Sequence, residues 1–267
     1  MNILVLANRD LASNYALNLL LPALQQHKLR LMLSSAVGGS RARPEPLELL
    51  QFFEQRLFND LLFPLLDRAG SGGFHSFSGL RQMLAADPVI ENTINSAESV
   101  ARLREAPPDL ILSIRYGGIL KEAVIGIPRY GVINLHSGLL PGYRGVMASF
   151  WAMLAGEQQL GTTLHTIDDS SIDTGRVIAT STVPLQPGMS YLWQVLNLYP
   201  AGVQNMLQAV STLSAGSLLQ SRPQGEGGDY FSFPTASDLQ AFAAAGYRLY
   251  SADEIIAFVA AHYLHGH

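Results

Sequence analysis

The sequence predicts an α/β protein built on an open, mostly parallel sheet, followed by a small C-terminal extension. The chain opens with an apolar run at residues 2–7, a helical pattern over 11–26 and a second strand-like run over 29–34. This β–α–β start is typical of doubly wound sheets. Strand and helix patterns keep alternating to about residue 213. We therefore expect one main domain over residues 1–220 and an extension over residues 221–267.

The later elements follow the same alternation. Residues 37–46 read as a loop, 47–69 as a helical stretch that Pro64 should break, and 71–84 have no clear pattern. Predicted strands cover residues 109–114, 131–136, 161–167 and 176–184, and predicted helices cover 97–104, 119–124, 146–155 and 190–213. A glycine-rich connector then leads to helices at 235–246 and 251–263, the second beginning with a capping box of Ser251 and Glu254.

Composition excludes several classes of function. The 267 residues are 48% hydrophobic and 14% charged, as expected of a globular protein. A net charge of −4 argues against a nucleic-acid partner, and the absence of cysteine excludes thiolate chemistry. The first turn, residues 7–14, lacks the glycine fingerprint of dinucleotide sites. With no signal-peptide pattern and no apolar run near ~20 residues, we expect a cytoplasmic protein without a membrane partner.

Three polar residues are candidates for chemistry at one rim of the sheet. Asn134 and His136 end a predicted strand and should share a face, because alternate strand residues point the same way. Asp173 lies in a later loop. An amide can stabilise an oxyanion, an imidazole can move a proton, and a carboxylate can orient that imidazole. The set contains no activated nucleophile, which favours direct transfer between two bound substrates.

These residues lie in motifs that resemble the folate-dependent formyltransferases. The motifs are INLHSGLLPGYRG at residues 133–145 and IDTG at residues 172–175. The family includes methionyl-tRNA formyltransferase, glycinamide ribonucleotide formyltransferase and the sugar N-formyltransferases. The resemblance implies a Rossmann-like formyltransferase fold, 10-formyltetrahydrofolate as formyl donor, an amine acceptor and no metal. It also implies that Asn134, His136 and Asp173 are the catalytic residues.

The resemblance further implies where the substrates bind. The pterin slot would be lined by Tyr116, Gly117, Gly118, Ile119, Leu120, Ile167, Asp168 and Asp169. The loop before Asp173 is one residue longer than in the relatives, so Asp168 and Asp169 can exchange places. Ser137, Tyr143 and Arg144 would contact the acceptor. For Tyr143 and Arg144, fixing the loop is an equal alternative.

The sequence does not identify the amine acceptor. An amino sugar nucleotide is the first expectation and an amino-acid-like amine the second. Phosphate binding after the first strand is disfavoured because Asp10 lies there. A tRNA acceptor is the last expectation, because the residues after 220 are few and not basic. A formyl-donor hydrolase and a non-catalytic folate- or partner-binding relative are the alternatives, and a homodimer is compatible with the sequence.

Other polar and aromatic residues have plainer interpretations. Asp168, Asp169 and Asp173 lack the spacing of an EF-hand, which disfavours a metal site. His165 is expected to be a buried, satisfied histidine. We expect His262, His265 and His267 to form a frayed tail. Tyr191, Trp193 and Tyr199 are expected in the core or at an oligomer contact.

Overall fold

The computed structural model describes residues 1–35, 43–70 and 72–264. Most of the predicted loop 37–46 therefore lies outside the described residues, as do His265 and His267. Among the described residues no helix combines the length and hydropathy needed to cross a membrane.

Within these ranges the strands form one large sheet and one small one. The strands are β1 (Asn2–Asn8), β2 (Lys28–Ser34), β3 (Val89–Ile90), β4 (Leu110–Ile114), β5 (Val132–His136), β6 (Tyr143–Gly145), β7 (Gln159–Thr166), β8 (Val177–Pro184) and β9 (Asp229–Phe231). The large sheet has the order β3-β2-β1-β4-β5-β7-β8, and β6 pairs with β9 in the small one. The first five strands in this order are parallel, and β7 pairs antiparallel with both of its neighbours, β5 and β8.

Helices cover both faces of the large sheet. They are α1 (Leu11–Leu20), α2 (Glu45–Gln51), α3 (Phe63–Ala69), α4 (Ala97–Glu105), α5 (Glu122–Ile125), α6 (Ala148–Leu154), α7 (Tyr191–Ser214), α8 (Ala236–Ala244) and α9 (Ala252–Val259). Alternate residues of β1 enter different cores: Ile3 and Val5 pack with α1 and α7, and Leu4 and Leu6 pack with α4 and α5. Strands buried on both faces are typical of parallel sheets between helices.

The predicted helix break at Pro64 is wrong. Residues 45–69 form one continuous helical run, in which a π-helical segment, Phe52–Leu62, joins α2 to α3. The amide of Phe63 donates to the carbonyl of Phe58, five residues back. Pro64 is the second residue of α3, and the helical run continues through it.

The predicted capping box at Ser251 is also wrong. Ser251 begins α9 without a side-chain hydrogen bond. Glu254 instead accepts hydrogen bonds from the amide and the hydroxyl of Ser190 at the start of α7. A capping box forms at α8, where Thr235 and Asp238 bond reciprocally.

The interpretation of His262 as part of a frayed tail is wrong as well. Its ring centroid lies 4.5 Å from that of Phe258, 5.0 Å from Tyr15 and 5.3 Å from Phe74. The neighbouring Tyr263 is fully buried, and its hydroxyl donates to Asn14 Oδ1 at 2.6 Å. Aromatic packing therefore holds this end of the described chain against α1.

Candidate active site

A cavity of about 340 Å³ opens at the carboxyl ends of the central strands. Asn8 of β1, Ser113 of β4 and both Asn134 and His136 of β5 line it. Parallel α/β sheets bind ligands at this rim because the strand ends and their loops leave a crevice there.

His136 and Asp173 meet in this cavity. The His136 Nδ1 atom lies 3.4 Å from Asp173 Oδ2, and its Nε2 atom lies 2.7 Å from the Tyr143 carbonyl oxygen. Both ring nitrogens thus face acceptors, and only the doubly protonated imidazolium donates to both. Asp173 Oδ2 also accepts the Gly145 amide at 2.8 Å. The structure therefore brings together two of the three residues singled out in the sequence.

His165 links the third residue, Asn134, to the pair of His136 and Asp173. It lies opposite Asn134 in the antiparallel pairing of β5 with β7, and Asn134 Nδ2 is 3.0 Å from His165 Nε2. The same Nε2 atom is 3.5 Å from Asp173 Oδ1, while His165 Nδ1 is 2.8 Å from the Thr166 carbonyl. The histidine is buried and hydrogen-bonded, as predicted, but its partners belong to the site. The contact between His165 and Asn134 follows from the register of β7 against β5, which the sequence pattern did not define.

The Asp173 carboxylate is strongly favoured in its ionised form. Burial alone would raise its pKa, but the charge of His136 and the contacts with His165 and Gly145 outweigh burial and lower the pKa from 3.8 to about 2. A carboxylate held between two imidazoles can orient either ring and accept a proton from it.

A second wall of the cavity is formed by Asp10, Glu54 and Arg115, here called the polar wall. Arg115 follows β4 with a left-handed φ of 57°, and its Nε atom donates to Asp10 Oδ2 at 2.9 Å. Its Nη2 atom lies 3.7 Å from Glu54 Oε1. Burial raises the pKa of Glu54 to about 7, against the opposing effect of Arg115. Neither Arg115 nor Glu54 was predicted from the sequence, although an arginine directly after a buried strand was a usable signal.

Asp10 is also the N-cap residue of α1. Its Oδ1 atom accepts the Ser13 amide at 2.7 Å, and its Oδ2 atom accepts Asn8 Nδ2 at 2.7 Å. A helix N-terminus attracts anions through its free amides and its dipole. Here a carboxylate of the chain already occupies that position.

Most of the predicted donor slot lines the cavity. Lining residues are Tyr116, Gly117, Gly118, Ile119, Leu120, Ile167 and Asp169. A Cβ atom at Gly118 would lie 2.9 Å from the Tyr116 ring, so glycine permits the tight turn. Of the two aspartates that could exchange places, Asp169 lines the cavity and Asp168 does not, so the observed arrangement favours Asp169 as the donor contact. The Asp168 Oδ2 atom accepts the Thr166 hydroxyl at 2.7 Å, which turns the carboxylate back toward β7.

Of the predicted acceptor residues, only Ser137 lines the cavity. The Tyr143 hydroxyl donates to Glu157 Oε1 at 2.9 Å, and Arg144 Nη2 donates to the Gly228 carbonyl at 2.8 Å. These hydrogen bonds agree with the alternative that both side chains fix the loop, and a contact of either side chain with the acceptor stays a prediction. Tyr143 also contributes its backbone carbonyl to His136.

The C-terminal segment completes the cavity. β9 pairs with β6, and both Tyr230 and Phe233 line the cavity wall. The Phe231 ring stacks on Trp151 with centroids 4.9 Å apart. No motif in the sequence indicated this contribution. The described residues include no cluster of side chains suited to a metal ion.

Comparison with known proteins finds similarity to formyltransferases, in sequence over part of the chain and in fold over most of it. Residues 69–193 match the formyl transferase family. A methionyl-tRNA formyltransferase from Geobacter sulfurreducens is 31% identical over 129 residues, which cover 48% of this chain and 40% of the relative. A sugar N-formyltransferase from a Shewanella species has a TM-score of 0.57 at 16% identity, over 92% of this chain and 88% of that one.

A third similar protein was solved with ligands. The N-formyltransferase from Helicobacter canadensis, in complex with folinic acid and dTDP-3-aminofucose, has a TM-score of 0.56 at 18% identity. The match covers 95% of this chain and 85% of that one. These comparisons confirm the predicted resemblance and the α/β fold class. The match to the Geobacter sequence spans less than half of that relative's length.

Proposed function

We propose that this chain is a folate-dependent N-formyltransferase. Residues 69–193 match the formyl transferase family, and the fold is similar to that of a solved sugar N-formyltransferase. It transfers a formyl group from 10-formyltetrahydrofolate to the amine of a small molecule, either an amino sugar nucleotide or an amino-acid-like compound. The observation that carries the proposal is the meeting of Asn134, His136 and Asp173 at one cavity.

In the proposed reaction the neutral amine attacks the formyl carbon and gives a tetrahedral intermediate with an oxyanion. Asn134 Nδ2 and His136 Nε2 donate hydrogen bonds to that oxyanion. His136 Nε2 exchanges the Tyr143 carbonyl for the oxyanion, because a full negative charge makes the stronger hydrogen bond. Asp173 keeps the imidazolium oriented and relays the proton that the amine loses to the folate nitrogen that carried the formyl group. The bond between that nitrogen and the formyl carbon then breaks, and tetrahydrofolate leaves with the nitrogen protonated.

The donor would bind along the turn of residues 116–120 and the loop that holds Asp169. Two observations support this placement. The turn lines the cavity beside Asn134 and contains the paired glycines, which let a flat ring approach the backbone. The related Helicobacter canadensis enzyme was solved with folinic acid, a formylated folate.

The polar wall restricts which chemical groups the acceptor can place beside it. Asp10 occupies the N-terminus of α1 and pairs with Arg115, so a phosphate at that position would meet a carboxylate. The wall therefore favours an acceptor that presents amine or hydroxyl groups to it and carries any phosphate elsewhere. The Helicobacter canadensis protein was solved with the aminosugar nucleotide dTDP-3-aminofucose, which supports this acceptor class.

Formyl transfer by the His136→Ala protein tests the proposal. The assay supplies 10-formyltetrahydrofolate with a panel of amino sugars, amino sugar nucleotides and amino acids. Loss of one oxyanion donor should lower kcat by roughly 10²–10³-fold. His75→Ala, outside the cavity, serves as the control. Undiminished turnover by His136→Ala would refute the assignment, formate release without an amine would indicate a hydrolase, and folate binding without turnover would indicate a non-catalytic relative.

A further inference from the structure

We propose that Gln224, in the C-terminal segment of residues 221–231, is a positioning residue that holds Asp173 in the conformation that reaches His136. The catalytic consequence rests on the proposed function, whereas the positioning itself does not. The segment begins at the predicted boundary after residue 220, so part of the expected extension would be a component of the active site.

Gln224 fastens the turn that carries Asp173. Its Nε2 atom donates to the Asp173 carbonyl at 2.8 Å and to the Gly175 carbonyl at 2.7 Å. The two hydrogens of one amide group thus bridge the two carbonyls that flank residue 174. A single side chain thereby holds the peptide plane that follows Asp173 and the one that follows Gly175.

Asp173 needs such support because its backbone is strained. Its φ is 55°, in the left-handed region that costs a non-glycine residue on the order of 1 kcal/mol. The turn is also pressed against β7, since a Cβ atom at Gly175 would lie 1.7 Å from the Thr166 carbonyl oxygen. A turn released from Gln224 can relax toward ordinary φ values, and this would rotate the carboxylate away from His136 and Gly145.

Backbone pairing brings Gln224 to this position. Arg222 and Val177 form an antiparallel bridge, with N–H···O distances of 2.8 and 2.9 Å. Arg176 adds two hydrogen bonds to Ser221, at 3.0 Å to the hydroxyl and 2.8 Å to the carbonyl. The segment then continues into β9, which pairs with β6, and Gly145 of β6 donates to Asp173. The segment therefore contacts the Asp173 backbone through Gln224, and it pairs with the strand whose Gly145 amide binds the Asp173 carboxylate.

The experiment compares three variants of the full chain. Gln224→Ala removes the side chain, and Gln224→Glu keeps its shape but replaces the two donors with acceptors. Gln240→Ala, at an exposed glutamine of α8, is the matched control. Hydrogen exchange at the Gly145 amide reports the carboxylate position directly, because that amide donates to Asp173 Oδ2. Exchange in β1 and β4 reports whether the fold is intact.

Both Gln224 variants should speed exchange at Gly145 without changing exchange in β1 and β4. Their kcat for formyl transfer should fall by about 10-fold or more, while the Kd for folinic acid stays near that of the unaltered protein. Unchanged Gly145 exchange in both variants overturns the inference, as does an equal effect of Gln240→Ala. If the unaltered protein transfers no formyl group, the proposed function fails, and the exchange measurement still decides the role of Gln224.

Discussion

Replacing Asp173 with asparagine should destabilise the protein in a pH-dependent way. The folded environment lowers the pKa of the Asp173 carboxyl from 3.8 to about 2, and its side chain is only 10% exposed. Because the folded pKa lies below the unfolded one, the ionised group stabilises the fold above pH 4 to 5, and this contribution disappears as the pH falls through 2. The difference between 3.8 and about 2 corresponds to about 2 kcal/mol of unfolding free energy at pH 5, and to about 1 kcal/mol at pH 3.

Urea denaturation of the unaltered protein and of Asp173→Asn at pH 5 and pH 3 measures this directly. Asparagine keeps the shape of the side chain and can still accept the Gly145 amide, so the variant isolates the charge. Asp253→Asn, at an exposed aspartate in the first turn of α9, is the control. Equal unfolding free energies of Asp173→Asn and the unaltered protein at pH 5 would refute the reasoning. A deficit of the same size at both pH values would show that it does not arise from ionisation.

Three further substitutions test other parts of the structure. Glu54→Gln should stabilise the protein at pH 8, by at most about 3 kcal/mol, and much less at pH 4, as urea denaturation at both pH values checks. The pKa of the Glu54 carboxyl is raised from 4.5 to about 7 on folding, so this group opposes folding increasingly as the pH rises between those two values. Gly228→Ala should lower the Tm, since its φ is 82° and a Cβ atom would lie 1.8 Å from the Pro141 carbonyl oxygen, whereas Gly225→Ala, with open space around it, should not. Thr235→Ala should lower the unfolding free energy by about 1 kcal/mol through loss of the α8 cap, and calorimetry that shows no change would contradict the capping assignment.

The parts of the site that could be predicted from sequence depend on local patterns. Asn134 and His136 follow a β-branched run, so strand periodicity alone predicts that both side chains lie on one face. The loop residues 116–120 line the same cavity, but their role as a donor slot was predicted from the family resemblance and not from a local pattern. Strand ends of a parallel sheet meet in space, which is why the end of a buried strand indicates the rim but not the ligand.

The parts that could not be predicted depend on contacts between distant segments. Glu54 reaches Arg115 across 61 residues of chain, because a long helix passes over the sheet. Glu254 has the spacing of a capping residue, yet its carboxylate is used by Ser190. The strands β6 and β9 are three residues each and lack any alternating pattern. Tertiary partners, and not local propensity, decide such elements.

Asn134 and His165 lie opposite each other in a backbone ladder, so strand register sets their separation. A one-residue slip of β7 would turn His165 to the opposite face of the sheet. Insertions and deletions in the surrounding loops, by contrast, leave the ladder intact. Evolution can therefore reshape the mouth of the crevice by altering loop length while this facing pair keeps its spacing.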